Sequence, residues 1–112
     1  WIETTRDAWI DGTLTAIGGS DTSDRGGAGS GGGIYLRCRQ FLGGGSLLAN
    51  GGNTPLYSGG GGGGGRIAVW SITDGFTGAT TASGGDGYDG DGQAGTVIRG
   101  HLSPPGTLFV VH

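Results

Sequence analysis

The residues best placed to do chemistry are three carboxylates in the segment Asp86-Gly-Tyr-Asp89-Gly-Asp91-Gly. A hard cation such as Ca²⁺ takes oxygen ligands, and glycines between them let a short loop wrap around the ion. Asp86, Asp89 and Asp91 are therefore the candidate metal ligands, with Ca²⁺ the candidate cofactor. The spacing is not an EF-hand, because the closing Glu is missing, and it is not the Ca²⁺-binding nonapeptide of β-helices. Asp and Gly are also the residues of an ordinary solvated turn, and the segment suits both readings.

Other chemistry finds less support. His101 and His112 are the only histidines and Glu3 the only glutamate. No Gly-x-Ser-x-Gly elbow joins a strand to a helix, and Gly29-Ser30-Gly31 lies in a loop. Some β-solenoids cleave polysaccharides with Asp and Arg clustered on a groove, but the Asp residues here fall in loops. No catalytic residue is assigned, and the chain is expected not to be an enzyme. The run Gly59 to Gly65 leads into Arg66 rather than Lys-Ser/Thr, and no helix follows, so it lacks the context of a phosphate loop. All six basic residues are Arg and the net charge is −3, without the basic patch of a nucleic-acid binder. No apolar run approaches the roughly 20 residues of a membrane-spanning helix. Cys38 is the single cysteine and reads as a small core residue. Tyr35 and Trp70 fall on outward positions, where they could stack on sugar rings, although subunit interfaces use the same residue types. An outward row of Thr13, Thr15 and Thr81 would suit ice, but Ser46 and Leu48 interrupt it.

The elements that carry these residues follow a period. GTLTAIGG, GSLLANGG and GATTASGG begin at Gly12, Gly45 and Gly78, 33 residues apart each time. A second series, GGGIYLRC and GGRIAVW, keeps the same spacing from Ile34 to Ile67, and AGTVIRG arrives three residues early. WIETT is its remnant in the first repeat, with Ile2 matching Leu36 if one residue is inserted before Gly12. Both series alternate with the period of two that half-buried strands require. In the first strand Ile34, Leu36 and Cys38 are expected inward, as are Ile67 and Val69. Tyr35, Arg37, Arg39, Ala68 and Trp70 are expected outward. A bend then carries Trp9 or Ile10, Phe41 or Leu42, and Phe76. In the second strand Leu14/Ala16, Leu47/Ala49 and Thr80/Ala82 are expected inward. No segment has convincing helical periodicity.

Short strands at a fixed period predict an all-β, Gly-rich β-solenoid, parallel β-helix-like. It would form a single repeat domain, 1–112, of about three 33-residue coils, approximately 1–30, 31–63 and 64–112. The alanine ladder implies a thin core. Glycine then belongs wherever one backbone approaches another too closely for a side chain. On this reading Gly59 to Gly65 is an ordered, polyglycine-like return path, held by backbone hydrogen bonds against glycine's entropy cost.

The string GGGIYLRC…GSLLANGG…GGGGGGGRIAVW…FTGATTASGG…AGTVIRG…GTLFVV resembles the Gly-rich repeats of very large bacterial secreted and surface proteins, adhesin-like and autotransporter-like. The resemblance implies an elongated β-solenoid stalk, outside the cell or at its surface. Arg99 departs from it, standing where a large apolar residue would end the strand, and marks a terminal coil. Trp1-Ile2 opens in mid-strand, which reads as a processed product or a piece of something longer. Leu108, Phe109, Val110 and Val111 form a strongly apolar last strand. Unpaired strand edges recruit further strands, so Trp1, Ile2 and Leu108 to Val111 are the candidate assembly interface. The expected partners are copies of the chain joined head to tail by β-augmentation, or neighbouring repeats of a longer chain. The expected role is a subunit of a self-assembling fibre or a module of a surface stalk. The alternative is a Ca²⁺-dependent adhesin fragment binding glycans.

Overall fold

Alternating apolar and polar residues, broken by glycine, give short strands wherever the pattern lasts more than a few positions. The computed structural model describes residues 1–22, 26–54 and 59–103. Its strands are β1 (Ile2–Glu3), β2 (Ala8–Trp9), β3 (Thr13–Thr15), β4 (Gly33–Leu42), β5 (Ser46–Leu48), β6 (Arg66–Asp74), β7 (Ala79–Thr81) and β8 (Thr96–His101). No helix occurs among the described residues. The strands form two sheets, and every pairing is parallel. One sheet runs β1-β4-β6-β8, with β2 also on β4; the other runs β3-β5-β7.

The register follows the sequence repeat. Leu14 pairs with Leu47 and Leu47 with Thr80. Ile34 pairs with Ile67 and Ile67 with Val97, so β8 joins three residues early. Ile2 pairs with Leu36 and Ala8 with Phe41, which places one additional residue of the first repeat between Glu3 and Ala8.

The core lies between the sheets. Leu36, Cys38, Phe41, Ile67 and Val69 from one side meet Leu47, Ala49 and Ala82 from the other, with Ala8 and Phe76. Alanine at two of the three positions on the facing wall keeps the walls close. Burial pushes the Cys38 thiol above its ordinary pKa.

Two expectations of the alternating pattern fail, each for a packing reason. The bend expected at Phe41-Leu42 is instead the end of the ten-residue strand β4. Alternation breaks after Cys38, so that Arg39 is exposed, Gln40 half-buried and Phe41 fully buried. The break brings the Phe41 ring onto Phe76, with centroids 4.3 Å apart and planes at 17°, a stacked pair that adds to the area both rings bury. Ala68, expected outward, is buried. It sits in register between Tyr35 and Ile98, and two larger neighbours are enough to shelter a methyl group.

The glycine-rich segments are ordered by each other. Gly29 N–H donates to Gly19 O, Gly52 to Gly29, Gly62 to Gly52, Gly85 to Gly62 and Gly92 to Gly85, all at 2.8–2.9 Å. This relay crosses every repeat. A second set links equivalent segments of successive repeats: Gly18 to Asn50, Gly51 to Ser83, Gly31 to Gly63 and Gly64 to Gln93. Backbones joined in two directions lie too close for side chains. A Cβ on Gly62 would come within 3.0 Å of Gly29 O, and one on Gly65 within 3.0 Å of Gly32 O. Gly60 and Gly63 differ, because their nearest atoms are 3.9 and 3.8 Å from a Cβ.

That contrast predicts opposite outcomes for neighbouring substitutions. Gly62→Ala should abolish folding. Gly63→Ala, whose φ lies outside the left-handed region, should raise stability by about 0.4–1 kcal/mol by restricting the unfolded chain. Urea unfolding of the two variants tests this, and equal behaviour would mean the run is not packed as described.

Candidate functional site: the open edge of the first repeat

The two ends of the sheets differ in what they offer. At the first repeat, β1, β2 and β3 each pair on one side only among the described residues. Their other side takes no strand from the described residues, and a strand edge of that kind is open to pairing. The interior is open there too: Ile10, Leu14, Ala16 and Ile34 pack on the core but are only partly buried. A groove lined in part by Ile2, Leu14, Ala16 and Ile34 runs in from the edge. Trp1, Ile2, Trp9 and Ile17 are exposed. Apolar residues at the rim of an unpaired edge are the ingredients of strand addition. Of the candidate assembly residues, Trp1 and Ile2 lie here. Leu108, Phe109, Val110 and Val111 lie outside the described residues.

The last repeat is finished differently. The inward row Ile2–Leu36–Val69 ends at Arg99. Its guanidinium makes a bidentate pair with the Asp74 carboxylate, and Nη2 donates to Phe76 O at 3.0 Å. The same group lies 5.6 Å from the centroids of both Phe41 and Phe76, within cation–π range. Burial by itself pushes the Asp74 carboxyl up. The hydrogen bonds from Arg99 and from Phe76 N–H, with the Arg99 charge, outweigh it and hold the carboxyl below its ordinary value. Arg99 thus covers the stacked rings where an apolar residue would have left them facing the next strand.

The remaining candidates are dispersed. Asp89 Oδ2 accepts from Gly59 N–H at 3.0 Å and Asp91 Oδ1 from Gly87 N–H at 3.1 Å. The Asp86 N–H donates to Asn53 Oδ1. Two of the three carboxylates therefore bind backbone N–H groups, which closes the turn. Among the described residues no group of three or more His, Cys, Asp or Glu side chains is gathered as a metal site, so the expected convergence of Asp86, Asp89 and Asp91 is not found. Tyr35 is half-buried under Trp1, with ring centroids 4.0 Å apart. Trp70 is half-buried and lies over Gly100, where a Cβ would overlap the indole. Cys38, Ser71 and His101 share one row. The buried Ser71 Oγ has no hydrogen-bond partner among the described residues, and the thiol beside it is shifted away from the nucleophilic thiolate. A surface groove of about 400 Å³ is lined in part by Glu3, Arg37, Arg39 and Ile72.

Sequence reasoning missed the Asp74–Arg99 pair, since 25 residues separate its members and the spacing belongs to neither repeat series. It also passed over Ala94, although the substitution is visible: AGTV stands where the earlier repeats read GGGI and GGRI. Comparison of the chain with family models, curated proteins and solved structures finds no match.

The Arg99 pair carries a pH signature. A depressed carboxyl contributes stability that is fully present above the unfolded value of 3.8 and is lost as pH falls through the lower folded value. Arg99→Gln should cost about 1 kcal/mol at neutral pH and should flatten the loss of stability on acidification. Urea unfolding from neutral pH to about 2 checks it; parallel pH profiles for the two proteins would rule the pair out.

Proposed function

We propose that the chain is a short β-solenoid of about three coils with polyglycine-like return segments, and that it is a structural module of an extracellular stalk or fibre. The observation that carries this is the continuous backbone lattice. Both sheets and the glycine relay repeat in one direction, and each repeat bonds chiefly to its neighbours. Such a lattice has rigidity and extensibility as its natural product. The resemblance to Gly-rich repeats of bacterial surface proteins supports the same reading and a position outside the cell. Its means of attachment is β-augmentation at the edge formed by β1, β2 and β3, where main-chain hydrogen bonds give affinity and the inward rows give register. Of the two structural roles, module of a longer stack is better supported than self-polymerising subunit, because the inward row ends in the charged Arg99–Asp74 pair.

An extensible stack should accept another unit. Inserting a second copy of residues 31–63 after residue 63 should give a protein that still unfolds in one transition. Its denaturant m-value should rise by about a third, in proportion to the added buried surface. Two separate transitions, or an unchanged m-value, would show that the repeats do not stack as one lattice.

A further inference from the structure

We propose that the outer face of the β1-β4-β6-β8 sheet, the face turned away from the core, binds an acidic polysaccharide. Arg37 and Arg39 take its carboxylates and the Trp1–Tyr35 stack takes a sugar ring. This activity is separate from the structural role. Its failure would leave the solenoid reading standing, because the repeat insertion tests that reading by itself.

The argument begins with cations that have no anion. The chain is acidic, with nine Asp and Glu against six Arg, so carboxylates are in excess. Among the described residues the one salt bridge is nevertheless Arg99–Asp74. Arg37 and Arg39 on β4 and Arg66 on β6 are exposed, and their side chains make no hydrogen bond or ion pair with the described residues. Glu3 is in register with Arg37 but does not bridge it. Leu36 and Cys38 are buried in the core, so Arg37 and Arg39 share the opposite face, about 7 Å apart along the strand. Arg66 is in register with Gly33, about 13 Å back from Arg37 on the same face. Three guanidinium groups thus line one side of the sheet, and the described chain supplies no anion to neutralise them.

The same face is hollow at both ends of this row. The groove of about 400 Å³ has Arg37 and Arg39 in its walls, beside Glu3, Thr4 and Thr5. A second hollow of about 290 Å³ is lined in part by Trp1, Tyr35, Ala68 and Arg66. There the Trp1 ring lies on Tyr35 with planes at 20°, yet Trp1 remains 82% exposed, so its far ring face is open. These features define the ligand. The face is about 20 Å long from Gly33 to Arg39, so a molecule that engages both hollows is a polymer. Its anions are separated by neutral units, as the guanidinium groups are. Between them it meets an indole face and hydroxyl groups. A polysaccharide carrying uronate residues matches each feature: carboxylates for the guanidinium forks, apolar ring faces for the indole, and hydroxyls for Thr4, Thr5 and the Glu3 carboxylate. A polyphosphate suits the face less well, because Glu3 stands in the groove and the chain carries a net charge of −3.

Hyaluronan, whose carboxylates alternate with neutral sugars, is the probe, titrated calorimetrically into the whole 112-residue chain. It should bind, and the affinity should fall as salt is raised. Arg37→Gln combined with Arg39→Gln should weaken binding at least about tenfold. Arg37→Lys with Arg39→Lys should restore only part of the loss, because an ammonium group lacks the planar fork. Trp1→Ala should weaken binding about three- to tenfold by removing the stacking face. All these side chains are exposed, so the urea midpoints should match that of the wild type and separate lost binding from lost folding. Neutral dextran should give no heat. Absence of binding to hyaluronan, or binding that the Arg37→Gln, Arg39→Gln variant retains in full, would overturn the proposal. Equal binding of dextran, polyglutamate or a single-stranded oligothymidylate would overturn the assignment to an acidic polysaccharide, and full affinity in Trp1→Ala would overturn the sugar-stacking role of the Trp1–Tyr35 pair.

Discussion

Backbone approaching backbone more closely than any side chain permits is the constraint on which the rest of this structure depends. At Gly62 a single added carbon would overlap a carbonyl of the preceding repeat. The same is true at equivalent positions in each later repeat. Close approach allows the hydrogen-bond relay from Gly92 to Gly19, and the relay fixes segments that would otherwise be the most disordered in the chain. Glycine's entropy cost is real, so the lattice holds because the closely approaching N–H and C=O groups pair with one another. The thin core follows from the same geometry. With the walls set by backbone contact, small side chains such as Ala49 and Ala82 fill one side, and the volume is taken up by Leu36, Ile67, Val69 and the Phe41–Phe76 stack.

A parallel lattice of this kind has ends, and its ends are its chemistry. Each interior repeat bonds through its backbone to the repeats on either side. The two ends are not equivalent. Among the described residues both leave strand edges unpaired, β1, β2 and β3 at one and β7 and β8 at the other. The first carries exposed Trp1, Ile2 and Trp9; the second ends its inward row with a guanidinium held over two aromatic rings. Charge placed at the end of an apolar row is a familiar way to discourage edge pairing. Here it also stabilises the end locally, because Asp74 and the Phe76 carbonyl satisfy it.

The side chains that looked most chemical also have architectural contacts. Asp89 and Asp91 hold backbone amides of the glycine turns. Tyr35 is covered by Trp1, and Trp70 fills the space above Gly100. Asp and aromatic residues near glycine have two uses, ligand contact and loop closure, and sequence spacing does not separate them. What separates them is the number of groups that converge in space.

The period of 33 residues determined the strand pairs, their parallel register and the early arrival of β8, because in a lattice of equivalent units register is only repetition. Alternation determined most of the inward faces, since side chains on a strand must point in turn to core and solvent. Tertiary structure decided what depends on neighbours distant in sequence. It buried Ala68 between larger residues, reversed the alternation at Phe41 to form a ring stack, and paired Arg99 with Asp74. It also told apart glycines that look alike in the sequence: Gly62 has a carbonyl where its side chain would be, and Gly19 has open space. That difference is a distance between backbones, which the order of residues does not contain.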